Sequence, residues 1–120
     1  MHTTIQPVIL TPNLDRLLNF YTELFDAVEI QRVPLTGPPF YIGLQIGQSV
    51  LGLVVNTDVQ TGTSQRMLIS VDVENVDNTL ERVVPAGGRV LGPPNNMPWG
   101  QRVAHLEDPD GNAVNLTHLI

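Results

Sequence analysis

The chain has 120 residues, of which 42% are hydrophobic and 15% are charged, and its formal net charge is −6. This length predicts one domain with a hydrophobic core, and the acidic charge argues against a nucleic-acid partner held through its phosphates. Because the chain contains no cysteine and no lysine, disulfides, thiolate catalysis, cysteine-ligated metals, Schiff bases and phosphate-binding P-loops are excluded.

Membrane insertion and export are not expected. Every apolar run is shorter than the roughly 18 residues that a membrane-spanning helix needs. The first residues, Met1-His2-Thr3-Thr4, lack the charged and apolar regions of a signal peptide. We therefore expect a cytoplasmic protein without a membrane partner.

The first half of the chain predicts one helix and four strands. Asn13 precedes apolar residues at helical spacing and is a typical helix N-cap. Alternation and turn residues predict the strands Thr4–Leu10, Val28–Val33, Phe40–Ile46 and Ser49–Val55. The order is therefore a strand, a helix and three strands.

The second half repeats this order. Asn75 caps a second predicted helix, which Pro85 and the Gly87-Gly88 pair are expected to end. A tight turn over residues 108–112 joins the last two strands, because Pro109 presets its φ and Gly111 accepts a positive φ. The predicted strands are Met67–Val73, Arg89–Leu91, Gln101–Glu107 and Ala113–Leu119.

The two helix starts, Asn13-Leu14-Asp15 and Asn75-Val76-Asp77, are 62 residues apart. They indicate two modules, at about residues 1–58 and 63–120, within a single domain over residues 1–120. The predicted fold class is α+β, with two tandem βαβββ modules that form a cup-shaped, eight-stranded mixed sheet with the helices outside. A cup of this kind is a typical small-molecule pocket.

Alternation along the strands predicts which side chains face the cup. One face of each strand is apolar and suits the helices, whereas the other face is mixed, as at Tyr41. His105 and Glu107 are two residues apart in one strand and therefore share the mixed face. The apolar faces are predicted to include Phe40, Ile42, Leu44, Leu51, Leu53, Met67, Ile69, Ala104, Leu106, Val114 and Leu116.

Four motifs occur in an order and spacing that resemble a known family. They are Asn13-Leu14-Asp15-Arg16 through Phe20-Tyr21, residues 72–77, Ala86-Gly87-Gly88, and Pro98-Trp99-Gly100 with residues 108–112. Over essentially its whole length the chain resembles the vicinal oxygen chelate superfamily, which contains glyoxalases, bleomycin resistance proteins and extradiol dioxygenases. This resemblance also implies a homodimer.

Metal-dependent members of this family place one metal ligand on each of four strands, usually His, Glu, His and Glu. The matching positions here are Gln6, Gly52, Leu68 and Asn115. Leucine and glycine have no donor atom, and the neutral amides of glutamine and asparagine hold a divalent ion poorly. The resemblance therefore implies the metal-free, bleomycin-resistance-like branch, with no metal and no cofactor.

Metal-free members resemble proteins that bind drugs in a groove, which needs flat aromatic surfaces and a few polar groups. We expect a metal-independent small-molecule binding protein. Sequestration of a planar or aromatic natural product or antibiotic is one role within this class. The acidic charge favours neutral or cationic ligands. The residues predicted to line the ligand cleft are Gln6, Tyr41, Gly52, Leu68, Trp99, Val103, His105 and Asn115.

Two other functions stay open. The first is an enzyme, either a cofactor-independent lyase or isomerase in which His105 and Glu107 form an acid–base pair, or a metal enzyme such as a dioxygenase with an unconventional site. A surface histidine beside a carboxylate is the simpler interpretation, and the lack of lysine, cysteine and clustered histidines argues against catalysis. The second is a regulatory or structural half of a larger complex. Trp99 either contacts the ligand or covers the end of the core, while Arg102 and His118 are predicted to point away from the cup.

Overall fold

The computed structural model of the chain describes residues 6–62 and 67–120. The chain divides into two compact units, Met1–Gln60 and Thr61–Ile120. Each unit contains one helix and a mixed β-sheet, so the fold class is α+β, as predicted. Neither helix of the described residues is long and apolar enough to cross a membrane.

The first unit contains a four-stranded sheet in the order β1-β4-β3-β2, in which β1 runs parallel to β4 and the other neighbours are antiparallel. The strand predicted over Thr4–Leu10 is displaced toward the helix, and its first two residues lie outside the described ranges. The elements in chain order are β1 (Val8–Thr11), α1 (Leu14–Phe25), β2 (Val28–Val33), β3 (Tyr41–Ile46) and β4 (Ser49–Val55).

The helix α1 begins at the predicted position. The Asn13 side chain accepts a hydrogen bond from the backbone N–H of Arg16, which satisfies one of the free donors of the first turn. The helix ends at Asp26, which takes the left-handed conformation at a φ of 54°. Its buried face packs on β4, and it consists of Leu14, Leu17, Phe20, Tyr21 and Leu24.

The second unit contains a five-stranded sheet. Its elements are β5 (Ile69–Asp72), α2 (Val76–Leu80), β6 (Arg89–Val90), β7 (Asn95–Asn96), β8 (Gln101–Glu107) and β9 (Ala113–Leu119). The strand order is β5-β9-β8-β6, with β5 parallel to β9, and β7 pairs with another part of β8. Because β7 was not predicted, the described residues contain nine strands and not the expected eight.

The helix α2 is shorter than predicted, since it ends at Leu80, well before Pro85. Proline has no N–H, and its ring crowds the carbonyl four residues earlier, so a regular helix cannot continue through this stretch. The chain instead forms tight turns as far as Gly87, which has a positive φ. A hydrogen bond from the Gly88 N–H to the Val83 carbonyl closes them in the manner of a Schellman motif.

The strand faces are buried largely as the alternation predicts. Phe40 and Met67 are corrections, because 54% and 81% of their surfaces are exposed. Both residues lie just outside β3 and β5, where the two-residue alternation no longer fixes the direction of a side chain. The buried members of the predicted apolar faces are Ile42, Leu44, Leu51, Leu53, Ala104, Leu106, Val114 and Leu116.

Two side chains of the second sheet fix the start of α2, which Asn75 caps as predicted. His118 on β9 accepts a hydrogen bond at Nδ1 from the Val76 N–H, at 2.8 Å. Arg102 on β8 donates bonds of 2.6 and 2.9 Å to the Asp77 carboxylate, and they hold the pKa of that carboxyl below its ordinary value. His118 and Arg102 therefore lie on the α2 side of the sheet.

Replacing His118 tests whether its ring nitrogen holds the start of α2. His118→Leu leaves the Val76 N–H without its acceptor, so we expect the free energy of unfolding to fall by about 1–2 kcal/mol. His118→Asn is the matched control, because the asparagine Oδ1 offers an acceptor at the same place along the side chain. Urea denaturation measures the difference, and equal losses in both variants would contradict this role.

Candidate functional site

The face of the first sheet that points away from α1 carries two buried glycines opposite each other, Gly43 on β3 and Gly52 on β4. The ring of Tyr41 covers this pair. Its Cε1 lies 3.1 Å from the position that a Cβ of Gly52 would take, while Cε2, on the opposite edge, lies 3.6 Å from that of Gly43. The ring therefore lies across both glycines, in space that a side chain at either position would need.

Gln6 holds the Tyr41 ring at its hydroxyl. Gln6 precedes β1, and the parallel pairing of β1 with β4 brings it beside Gly52. Its Nε2 donates a hydrogen bond of 2.6 Å to the Tyr41 hydroxyl and lies 2.8 Å from the position of a Gly52 Cβ. Three residues of the predicted cleft are thus brought together within the first unit.

Exposed aliphatic side chains flank the Tyr41 ring. Val8 pairs with Gly52 in the register of β1 with β4, and Leu10 follows two residues later on the same face. Their surfaces are 48% and 47% exposed. Neither was predicted as a cleft residue, although the two-residue alternation that starts from Gln6 puts both on this face.

In the second unit, His105 and Asn115 form a cross-strand pair on the face away from α2. They lie directly opposite each other on β8 and β9, and His105 Nδ1 is 2.7 Å from Asn115 Oδ1. Val103, on the same face of β8, is buried opposite Thr117. Leu68 is half exposed and lies just before β5. The second unit therefore brings His105 and Asn115 together as a polar pair, with the apolar Val103 beside them on the same face.

Glu107 does not pair with His105. Its carboxylate binds the guanidinium of Arg89 across the pairing of β6 with β8, at an Nη2–Oε1 distance of 2.5 Å. The hydrogen bond of His105 goes to Asn115 instead. The two residues of the alternative acid–base pair share a face of the sheet, but their side chains bind different partners.

Trp99 lies two residues before the start of β8 and does not cover the core, since 67% of its surface is exposed. Its Nε1 donates a hydrogen bond of 2.9 Å to the Gln101 side-chain oxygen. Gln101 is two residues before Val103 and therefore shares its face of β8. Of the two interpretations of Trp99, the core cover is wrong, and the indole remains an exposed aromatic surface beside the mixed face.

The positions that the sequence resemblance predicts to match the family's metal ligands carry residues that do not fit a metal centre. Gly52 has no donor, and a longer side chain there would meet the Tyr41 ring. Leu68 also has no donor, and the Asn115 amide oxygen is already bonded to His105. Within residues 6–62 and 67–120, no three histidine, aspartate or glutamate side chains are grouped so that they could hold an ion.

The chain is similar to known proteins over nearly its whole length. The model of the glyoxalase/bleomycin resistance protein/dioxygenase superfamily matches residues 2–116. An uncharacterized protein of Mycobacterium bovis is 28% identical over 120 aligned residues, which span 90% of this chain and 78% of that protein.

Solved structures of low sequence identity share the fold. A glyoxalase/bleomycin resistance protein/dioxygenase family enzyme from Burkholderia phytofirmans is 21% identical with a TM-score of 0.81, and 96% of this chain and 97% of that chain are covered. The fosfomycin resistance protein FosX from Mesorhizobium loti is 16% identical with a TM-score of 0.75, with 100% and 94% covered.

Gly52→Ala tests the close packing of the Tyr41 ring. The φ of Gly52 is not in the positive region, so the substitution causes no backbone strain. Its methyl would meet Gln6 Nε2 at 2.8 Å and Tyr41 Cε1 at 3.1 Å. We expect the Gln6–Tyr41 hydrogen bond to break and the free energy of unfolding to fall by about 1–2 kcal/mol.

Gly43→Ala is the matched control for this variant. Its methyl would come no closer than 3.2 Å to the Tyr41 hydroxyl, so we expect a smaller loss of stability. Urea denaturation and the NMR shifts of the Tyr41 ring measure both variants. A Gly52→Ala protein with the stability and Tyr41 shifts of the parent would contradict this position of the ring.

Proposed function

We propose that this chain, which belongs to the glyoxalase/bleomycin resistance protein/dioxygenase superfamily, is a metal-independent small-molecule binding protein that takes planar or aromatic ligands. The observation that carries the proposal is the Tyr41 ring lying across the Gly43–Gly52 pair. This arrangement provides a flat aromatic surface at a position that matches a metal ligand of other family members. In this proposal, stacking on the Tyr41 ring holds the ligand, in place of the metal ion of the metal-dependent family members.

The surroundings of Tyr41 favour stacking for a physical reason. One side of the ring lies against the backbone of two glycines, and Gln6 holds its hydroxyl, so little rotational freedom is lost when a ligand binds. The exposed Val8 and Leu10 extend the apolar surface around the ring. An aromatic pair adds about 0.5–1.5 kcal/mol to what the burial of apolar area contributes.

Sequestration of a natural product or antibiotic is the biological role within this proposal. The superfamily includes bleomycin resistance proteins, and FosX of Mesorhizobium loti, which has the same fold, is a fosfomycin resistance protein. The net charge of −6 favours a neutral or cationic compound over an anion. The second unit has an exposed aromatic surface of its own, the indole of Trp99.

An enzyme of the lyase, isomerase or dioxygenase type has weaker support. Acid–base catalysis by His105 and Glu107 would need both groups free to exchange protons with a substrate. The Glu107 carboxylate is bound to the Arg89 guanidinium and is not free, and the Nδ1 contact of His105 goes to Asn115 and not to Glu107. Because neither contact joins the two candidates, we propose binding and not catalysis.

The protein is further proposed to act as a homodimer in the cytoplasm. In the first sheet, β2 is an edge strand that exposes Val28 and Ile30, and an exposed apolar edge favours association with another chain. A chain without cysteine forms no disulfides and therefore needs no oxidising compartment.

Tyr41→Ala and Tyr41→Phe test the proposed function against a panel of planar aromatic compounds that includes polycyclic antibiotics. We expect Tyr41→Phe, which keeps the ring but loses the Gln6 hydrogen bond, to stay close to the affinity of the parent. Tyr41→Ala should bind at least tenfold more weakly, which corresponds to about 1.4 kcal/mol. Isothermal titration calorimetry on chelator-treated protein measures the affinities. Unchanged affinity in Tyr41→Ala, or binding only after a divalent metal is added, would contradict the proposal.

A further inference from the structure

We propose that Gln6 determines which planar compounds the Tyr41 ring takes, because its side-chain oxygen Oε1 accepts a hydrogen bond from an O–H of the phenol class. The ligand is then a flat aromatic compound with a hydroxyl on its ring. This inference rests on the proposed function, since the ligand is already taken to stack on Tyr41. It lies wholly within the first unit and comes from the contact between Gln6 and Tyr41.

The backbone next to Gln6 is fixed to β4. The Gly52 N–H donates a hydrogen bond of 2.9 Å to the Pro7 carbonyl, and the next residue, Val8, pairs with Gly52 in the parallel register. Proline also fixes its own φ, which limits the conformations of the chain directly after Gln6. Gln6 therefore has a defined place beside the sheet, although it precedes the first strand.

The contact with Tyr41 decides which end of the Gln6 carboxamide stays open. Nε2 donates a hydrogen bond of 2.6 Å to the Tyr41 hydroxyl and lies 2.8 Å from the position of a Gly52 Cβ. Oε1 shares one carbon with Nε2, so it lies beside the same end of the ring. Gln6 is exposed, and within residues 6–62 and 67–120 its side chain makes no other hydrogen bond. Oε1 is thus an open acceptor next to the surface on which the ligand stacks.

A second glutamine on this face, Gln31, shows why the contact with Tyr41 matters. Gln31 lies opposite Gly43, and its Cβ is 3.5 Å from the position of a Gly43 Cβ. In the described part of the chain, no hydrogen bond holds its carboxamide. A long side chain loses rotamer freedom when it binds a ligand, and Gln6 has already lost that freedom to Tyr41. Gln6 is therefore the better acceptor, and Gln31 provides a matched control.

The ligand class follows from the chemistry of the acceptor. An amide oxygen accepts hydrogen bonds and does not donate them, so the ligand must supply the hydrogen. The O–H of a phenol lies at the rim of a flat ring, so one molecule can stack on Tyr41 and donate to Gln6 Oε1. A methyl ether of the same compound keeps the stacking surface but has no donor. We expect the ether to bind about tenfold more weakly than the phenol.

The side-chain ¹H–¹⁵N NMR signals of Gln6 test the geometry without a ligand. We expect one amide proton of Gln6 in the parent to be shifted downfield, because it is bonded to the Tyr41 oxygen. Tyr41→Phe removes that acceptor, so the signal should move toward that of Gln31, whose carboxamide has no such partner in the described residues. Gln6 amide signals that are the same in the parent and in Tyr41→Phe would overturn the proposal.

The matched probes 2-naphthol and 2-methoxynaphthalene test the ligand class by calorimetry. We expect the parent to bind 2-naphthol about tenfold more tightly. Gln6→Leu has no acceptor oxygen and should bind both probes equally, whereas Gln6→Glu, whose carboxylate accepts hydrogen bonds, should keep the preference. Gln31→Leu removes the other glutamine from the same face of the sheet, and it should keep the preference as well.

The outcomes separate this inference from the proposed function. Equal binding of both probes by the parent, or a preference for 2-naphthol that persists in Gln6→Leu, would overturn the role of Gln6 and leave the proposed function standing. Loss of the preference in Gln31→Leu but not in Gln6→Leu would assign the contact to the wrong glutamine and overturn it too. Binding of neither probe by the parent would overturn both.

Discussion

The absence of side chains at Gly43 and Gly52 decides the chemistry of one face of the first sheet. Because the two glycines lie opposite each other on neighbouring strands, the Tyr41 ring reaches the backbone of both, and Gln6 meets its hydroxyl at 2.6 Å. A side chain at Gly52 would occupy the same space, so a metal ligand at this position and this placement of the ring exclude each other. The remaining surface is aromatic and apolar, and it suits a planar ligand.

In the second sheet, too, a residue at a predicted metal-ligand position determines how a neighbouring side chain is placed. Asn115 stands at another position that the resemblance predicts to match a metal ligand of the family, and its amide oxygen lies 2.7 Å from His105 Nδ1. In each unit, a residue at such a position arranges a neighbouring side chain: Gly52 leaves room for the Tyr41 ring, and Asn115 orients His105. The opposite face of each sheet packs against α1 or α2 and forms the core.

Much of the fold could be predicted because it depends on local patterns. The strands β2, β4, β8 and β9 have the predicted bounds, and α1 starts after Asn13. The effect of Pro85 on the preceding turn shortened α2, and Met67 was misplaced because alternation fails beyond a strand end. For the site, the two-residue alternation along β8 was enough to predict that His105 and Glu107 share one face of the strand. Contacts such as that of Glu107 with Arg89 could not, because they depend on cross-strand register between distant segments.

Intermolecular NOEs between 2-naphthol and the chelator-treated, ¹³C-labelled protein test the central claim most directly. The claim is that a planar ligand stacks on the Tyr41 ring without a metal ion. We expect NOEs from the naphthalene protons to the Tyr41 ring and to the methyl groups of Val8 and Leu10, which flank it. A complex that shows no NOE to Tyr41, or one that forms only after a divalent ion is restored, would contradict the account.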